Sequence, residues 1–348
     1  MQGLTPLEIK KIKDHLDTAK KPLFFFDDDA DGVSSFLLLY RYLREGKGVI
    51  IKSRPALDKK FLCNIEEYGP DTIFVLDIAI IEDEFVNAVK EPIVWIDHHT
   101  VQEKRGMNYF NPRKHNESIT YPTSHLCYDV VQSDLWIAMC GCVGDWMLPS
   151  FTAEFCEKYP DLLSKDVTFA PVALFDTELG KLIRILNFNL KGTTSNAMKS
   201  VKILTRIETP YEILRQETNQ GKYLYQQYEK VNIVYEALLR QAEKKATDKD
   251  PIFLFEYRES SMSFTSDLSN ELLYRHPEKL IIIAREKSGE MRMSVRSSKE
   301  ILPPIIEKSL EGLEGYGGGH EHACGCCVKK EQFKEFLSRL RMLIQTYK

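Results

Sequence analysis

The chain has 348 residues, 47 Lys+Arg against 51 Asp+Glu (net −4), 43% hydrophobic and 28% charged residues. This balance excludes a disordered chain, a collagen-like chain and a generic basic nucleic-acid coat, and the length suits two domains with a core each. No apolar run approaches the ~20 residues that cross a bilayer, Met1 to Lys21 lacks the apolar stretch of a secretion signal, and eight Cys without regular spacing fit a reduced, cytoplasmic setting.

In chain order, Pro22 to Phe26 reads as a buried strand and Gly32 to Leu43 as a helix with an apolar face. Val49 to Ile51, Ile73 to Leu76 and Ile93 to Ile96 are further short apolar runs. Short strands alternating with helices predict a parallel sheet over residues 1–190. Ligands of such sheets gather at the carboxyl ends of the strands. Residues 191–250 turn helical, with Leu204, Ile207, Tyr211 and Leu214 near three- and four-residue spacing and a second run from Tyr223 to Lys245. This segment is read as a helical connector whose charges form a solvated face. Strands return in residues 251–348 at Ile252–Phe255, Leu280–Ala284 and Met291–Val295, with helices over Lys299–Glu311 and Glu331–Tyr347. A Gly-rich turn, Gly315 to Gly319, is placed between those helices. The expected fold class is therefore α/β: a parallel-sheet domain, a helical connector, and a smaller mixed α/β domain.

The most informative segment is Asp27-Asp28-Asp29-Ala30-Asp31-Gly32, directly after three consecutive Phe. Acidic surface turns are common, but here a buried strand feeds the cluster and limits free solvation. Hard divalent cations relieve such repulsion and take oxygen ligands. Further apolar runs lead into Asp77, into Asp97-His98-His99 and into Gly144-Asp145. One Asp at a strand or helix end is ordinarily a turn or cap residue; several together point to a metal site. Carboxylates with imidazole and no thiolate suit Mn²⁺, then Mg²⁺, and Zn²⁺ less well. A shared carboxylate would bridge two ions and activate a water.

These four motifs, in this order, resemble those of the DHH phosphoesterases, and the first resembles the RecJ-type version. The resemblance implies Asp29, Asp77, His98 and Asp145 as ligands of one metal and Asp27 with Asp77 as ligands of another, making Asp77 the bridge. Asp31 is implied at the first metal or behind it, and His99 at the scissile phosphate, with Asp97 beside it in the catalytic motif. Relatives acting on pyrophosphate or cyclic dinucleotides carry a His where this chain has Leu23, which cannot ligate. This moves the expectation toward the nuclease branch and leaves occupancy of the first metal open.

Gly317-Gly318-Gly319-His320 and Ser294-Val295-Arg296-Ser297 resemble motifs of the DHH-associated substrate domain. Consecutive Gly let backbone N–H groups approach an anion, and a guanidinium grips phosphate through its fork. Gly318, Gly319, His320 and Arg296 are the implied substrate contacts, on the far wall of an interdomain cleft. An isolated Gly run or a lone strand-end Arg would otherwise be a flexible loop and a surface charge. Arg113, in the Asn111-Pro112-Arg113 turn, is either an exposed loop residue or a further phosphate contact. Tyr223, Tyr225 and Tyr228 could stack bases, although their helical spacing favours packing. Cys324, Cys326 and Cys327 near His320 and His322 are too cramped for a standard zinc site and read as buried loop packing. Cys140 and Cys142 read as core residues.

The expected function is Mn²⁺-dependent hydrolysis of single-stranded DNA or RNA, or of short oligonucleotides, from one end. Hydrolysis of a cyclic dinucleotide or 3′-phosphoadenosine phosphate, and a non-catalytic replication or repair scaffold, are the alternatives. A scaffold should have lost metal ligands, and the matched set here is intact. Residues 1–190 carry −8 and residues 191–348 carry +4. Six acids of the first part (Asp27, Asp29, Asp31, Asp77, Asp97 and Asp145) belong to the expected site and leave it near −2 without them. Bound metals would convert that wall into one that attracts phosphate.

Overall fold

A computed structural model describes residues 3–52, 56–246, 250–258 and 262–346. Tyr347, the expected end of the last helix, and residues 247–249 of the charged stretch lie outside the described residues. The chain divides into two compact units, Met1–Glu229 and Lys230–Lys348. The helices Thr194–Leu204 and Pro210–Leu214 of the expected connector fall in the first unit, and the helix Asn219–Glu243 runs through the division.

The first unit is built on strands β1 (Pro22–Asp27), β2 (Lys47–Ile51), β3 (Ala56–Leu57), β4 (Thr72–Leu76), β5 (Ile80–Ile81), β6 (Ile93–Ile96) and β7 (Asn108–Phe110). Five of them form a sheet in the order β2-β1-β4-β6-β7, parallel throughout, while β3 pairs with β5 separately. Strands covered on both faces read as unbroken apolar runs, which is why Leu23 through Phe26 all sit at 0% exposure. Phe25 packs on one face with Ile73, Val75 and Trp95. Phe24 and Phe26 face the other way, Phe24 stacked on Phe74 at 5.1 Å and Phe26 on Phe36 at 4.6 Å. Burying each Phe contributes roughly 1.5–3 kcal/mol relative to exposure, so the strand feeding the acidic segment is firmly held.

The helix Ala30–Leu43 follows β1 almost at once and packs on the helices Thr123–Val131 and Leu135–Gly144. Gly32 makes that tight entry possible, because a Cβ there would lie 2.6 Å from the Asp27 carbonyl oxygen.

The second unit carries β8 (Ile252–Tyr257), β9 (Leu280–Lys287), β10 (Glu290–Arg296), β11 (Gly315–His320) and β12 (Ala323–Lys329), ordered β11-β12-β10-β9-β8. Within this sheet, β8–β9 is the one parallel pair among the described residues, giving the mixed sheet expected. One face packs against the helices Leu302–Leu310 and Phe333–Thr346, and the helix Thr265–Arg275 lies on β9 and β10. Two expectations are corrected here. Gly315 to Gly319 is not a turn but most of the exposed edge strand β11, held extended by its ladder to β12 despite the weak strand preference of Gly. Cys324, Cys326 and Cys327 are buried on β12 rather than in a loop. No helix among the described residues is long and apolar enough to cross a membrane.

Candidate metal centre

The register of the first sheet builds the site. Phe26, Leu76, Ile96 and Phe110 are partners across β1, β4, β6 and β7. The next residue on each strand is Asp27, Asp77, Asp97 or Asn111, so three carboxylates and an amide emerge side by side at the carboxyl edge. Asp29 and Asp31 come from the start of the helix Ala30–Leu43, and Asp145 caps the end of Leu135–Gly144.

Three groups of ligand atoms lie within 4.8 Å of one another: Asp27, Asp29 and Asp77; Asp31, His98 and Asp145; Asp77, His98 and His99. Asp77 belongs to two of these groups, and so does His98. The His98 Nε2 is 3.3 Å from Asp77 Oδ1 and 4.0 Å from Asp31 Oδ2, while its Nδ1 is 3.7 Å from Asp145 Oδ2. Asp77 adopts φ 58°, a left-handed conformation that Asp tolerates better than most residues, and its Oδ1 accepts from Thr123 Oγ1 at 3.2 Å.

Asp31 is used differently from the other acids. Its Oδ2 accepts the backbone N–H of Thr123 at 2.7 Å and its Oδ1 that of Ser124 at 2.8 Å. Asp29 Oδ1 accepts the Gly32 N–H at 2.9 Å, capping its own helix, and still leaves oxygen for a cation. Asp97, fully buried, accepts from His99 Nδ1 at 2.7 Å, the His99 N–H at 3.1 Å, the Asn111 amide at 3.3 Å and the Tyr109 hydroxyl at 3.4 Å.

The electrostatics separate the two histidines. Burial and the neighbouring His99 push His98 down to about 4, so its imidazole is neutral and has a lone pair to offer. Burial opposes charge on His99 as well, but the Asp97 carboxylate outweighs it and lifts His99 to about 9. Burial and mutual repulsion raise Asp27, Asp77 and Asp145 well above the ordinary carboxylate range. Burial and the Asp31 charge bring Asp29 to about 6, although part of its side chain reaches solvent. Crowded acids of this kind, with oxygen donors and one neutral imidazole, fit divalent cations.

The remaining expected residues fall in different places. Arg113 is half-buried, with its N–H donated to Asn111 Oδ1 at 2.9 Å, and its charge adds to those that depress His98. In the second unit, the Arg296 Nε donates to Asn270 at 2.7 Å and its Nη2 to Ser266 at 3.1 Å. Burial lowers its pKa to about 10, and it remains charged. Gly318, Gly319 and His320 lie exposed on β11. Tyr228 is buried against Phe188 and Tyr225, so it packs rather than stacks on a ligand. The Cys-rich strand contributes to no metal-sized group among the described residues. Sequence reasoning missed Tyr109, Thr123 and Ser124; a polar pair opening an apolar helical stretch is the one faint signal of the last two. Asn111 was noticed only as part of a turn.

Comparison with known proteins agrees with the α/β fold. The model of the DHH family, N-terminal domain, matches residues 23–148, and that of the DHHA1 domain matches residues 259–346, together more than half of the chain. The chain belongs to the DHH family, with a DHHA1 domain after its DHH domain, and its fold is RecJ-like. Among solved structures, RecJ in complex with Mn²⁺ from Thermus thermophilus superposes with TM-score 0.71 at 14% identity, covering 98% of this chain and 55% of the other. This chain thus spans little more than half of that relative. An exonuclease RecJ bound to manganese gives TM-score 0.63 at 14% identity, with coverage of 97% and 94%. A pGpG-specific phosphodiesterase, PggH, from Vibrio gives TM-score 0.50 at 15% identity, with coverage of 94% and 99%. No curated protein sequence matches this chain.

Proposed function

We propose that the protein is a phosphodiesterase, using Mn²⁺ by preference and Mg²⁺ next, that hydrolyses single-stranded DNA or RNA, or short oligonucleotides, from one end. The observation that carries this reading is the in-register row Asp27, Asp77 and Asp97 with neutral His98 and protonated His99 beside it. Bound in this donor set, divalent cations supply Lewis-acid activation of water and neutralise phosphate charge. Asp77 would serve both ions: its ligand atoms group with those of Asp27 and Asp29 and also with those of His98 and His99. His98 groups in turn with Asp31 and Asp145, so Asp29 falls with Asp27 rather than with His98 and Asp145 as the resemblance implied. His99 keeps its proton at neutral pH and would donate to a phosphoryl oxygen as negative charge grows there. Asp97 holds the His99 ring in orientation, and Asn111 fixes Asp97 in turn. Arg113, Arg296, Gly318, Gly319 and His320 are proposed to bind the substrate's phosphates. Eight free cysteines favour a reducing, cytoplasmic setting.

Hydrolysis of a small dinucleotide is a second reading, favoured by the full-length likeness to the pGpG-specific enzyme. Leu23, buried within β1, argues against the cyclic-dinucleotide form. The deciding experiment is turnover with Mn²⁺ on end-labelled DNA and RNA of graded length, beside pGpG, cyclic dinucleotides and 3′-phosphoadenosine phosphate. Faster cleavage of strands supports the exonuclease reading. Cleavage of pGpG alone replaces it with the second, and no turnover on any substrate overturns both.

A further inference from the structure

A hollow of about 500 Å³ opens beside the Asp97-His98-His99 loop, lined by Lys104, Arg105, Arg113 and Lys114 as well as Glu103 and Glu117. Its size falls within the ~300–1,000 Å³ of small-ligand sites, but its lining is polar and cationic where most such sites are apolar. Two of the cations are already engaged. Lys104 pairs with Asp83, and Lys114 donates to the Tyr109 carbonyl at 2.6 Å while lying over its ring at 4.1 Å. Arg105 is exposed and Arg113 half-buried, and neither has a carboxylate partner among the described residues. Two guanidinium forks facing one hollow are suited to phosphate oxygens, which they can grip in pairs.

The hollow is rigidly tied to the metal centre. Asn111 Oδ1 accepts the Arg113 N–H at 2.9 Å, while its Nδ2 donates to the His99 carbonyl at 2.9 Å and to Asp97 Oδ2 at 3.3 Å. Tyr109, another wall of the hollow, reaches Asp97 with its hydroxyl. A phosphate held here is therefore in fixed register with the group that orients His99.

We propose that this hollow is a phosphate subsite for single-stranded nucleic acid, in which Arg105 and Arg113 hold the phosphodiester adjoining the one at the metal centre. The inference rests on the phosphodiesterase reading above. It makes a ligand with two or more phosphates along a strand bind better than a mononucleotide. Contacts to the backbone alone carry no base preference.

The test is equilibrium binding of a fluorescein-labelled 5-mer and a labelled mononucleotide by anisotropy, with Ca²⁺ in place of Mn²⁺ and strand integrity checked on a gel. Arg105→Glu should weaken 5-mer binding about tenfold and lower the salt slope by about 0.7 per lost contact, leaving the mononucleotide unchanged. Lys90→Glu, the same charge change at another exposed position, should alter 5-mer binding less than twofold. Arg113→Lys, which keeps charge but loses the fork, should weaken the 5-mer severalfold. Equal effects of Arg105→Glu and Lys90→Glu, or equal loss of 5-mer and mononucleotide, would overturn the subsite. An inactive wild type whose 5-mer binding still depends on Arg105 would sink catalysis and leave the subsite standing. An active wild type indifferent to Arg105 would do the reverse.

Discussion

Asp31 spends both carboxylate oxygens on the first turn of another helix, accepting the Thr123 N–H at 2.7 Å and the Ser124 N–H at 2.8 Å. The helix Thr123–Val131 has no side-chain cap of its own, so an acid 92 residues earlier caps it. Asp31→Ala would strand two buried donors, each costing about 1–3 kcal/mol. Urea unfolding in EDTA should show a loss of roughly 2–4 kcal/mol for Asp31→Ala and about half of that for Asp31→Asn, which keeps one acceptor. Unfolding of Asp31→Ala at the wild-type midpoint in EDTA would mean that the cap does not form in solution.

The crowded acids predict a metal response that depends on pH. Asp29 titrates near 6 in the folded chain against an ordinary 3.8, and burial with mutual repulsion also raises Asp27, Asp77 and Asp145 well above that ordinary value. The metal-free fold therefore binds more protons than the unfolded chain. The stability these groups contribute is complete below about 3.8 and is lost as pH rises through 6 and beyond. Cations need the deprotonated forms, so their binding competes with protons. Saturating Mn²⁺ should raise the melting temperature more at pH 8 than at pH 5.5. Calorimetry in two buffers of different ionisation enthalpy should show proton release that is larger at pH 6 than at pH 8. Absence of release at pH 6 would contradict the assignment.

The His99–Asp97 pair predicts a separable effect. Burial alone would hold His99 below its ordinary 6.5, and the charge and hydrogen bond of Asp97, with smaller contributions from Asp145 and Asp27, lift it to about 9. The stabilisation from protonated His99 is full below 6.5 and lost as pH rises through about 9. In Asp97→Asn, NMR titration should find His99 shifted well down from about 9, and turnover at pH 7.5 should fall on the order of 10²-fold. An unshifted His99 would show that Asp97 is not its partner.

Adjacent glycines on β11 should behave differently. Gly319 has φ 149° and a Cβ there would meet the Ala323 carbonyl oxygen at 2.3 Å, whereas one at Gly318 meets nothing within 4 Å. Gly319→Ala should destabilise the fold by about 1–3 kcal/mol. Gly318→Ala should melt like the wild type and raise KM if a phosphate approaches that backbone. Equal melting of the two variants would contradict the strand geometry.

Where each element gets its order decided how far it was legible. Leu23 to Phe26 and Ile93 to Ile96 are buried on both faces, and continuous apolar runs announce such strands. The acids closing them were visible for the same reason. β7 is a three-residue edge strand beginning with Asn108, and among the described strands it pairs with β6 alone. β11 is extended because β12 pairs with it, a long-range cause that a local reading of five residues with four glycines replaces with a turn. The helix Thr123–Val131 lacked a local start signal because its cap is Asp31. Likewise, the clamp of Asn111 on Asp97 and His99 exists only once β6 and β7 lie side by side.

The left-handed backbone of Asp77 has a practical consequence for any inactive variant. Alanine at φ 58° costs about 1–2 kcal/mol by itself, so Asp77→Ala would confound lost chemistry with a displaced strand end. Asparagine accepts the same backbone and has nearly the same shape, yet carries no charge. If the protein cleaves strands as proposed, Asp77→Asn is therefore the variant with which an uncut substrate could be captured on an otherwise native surface.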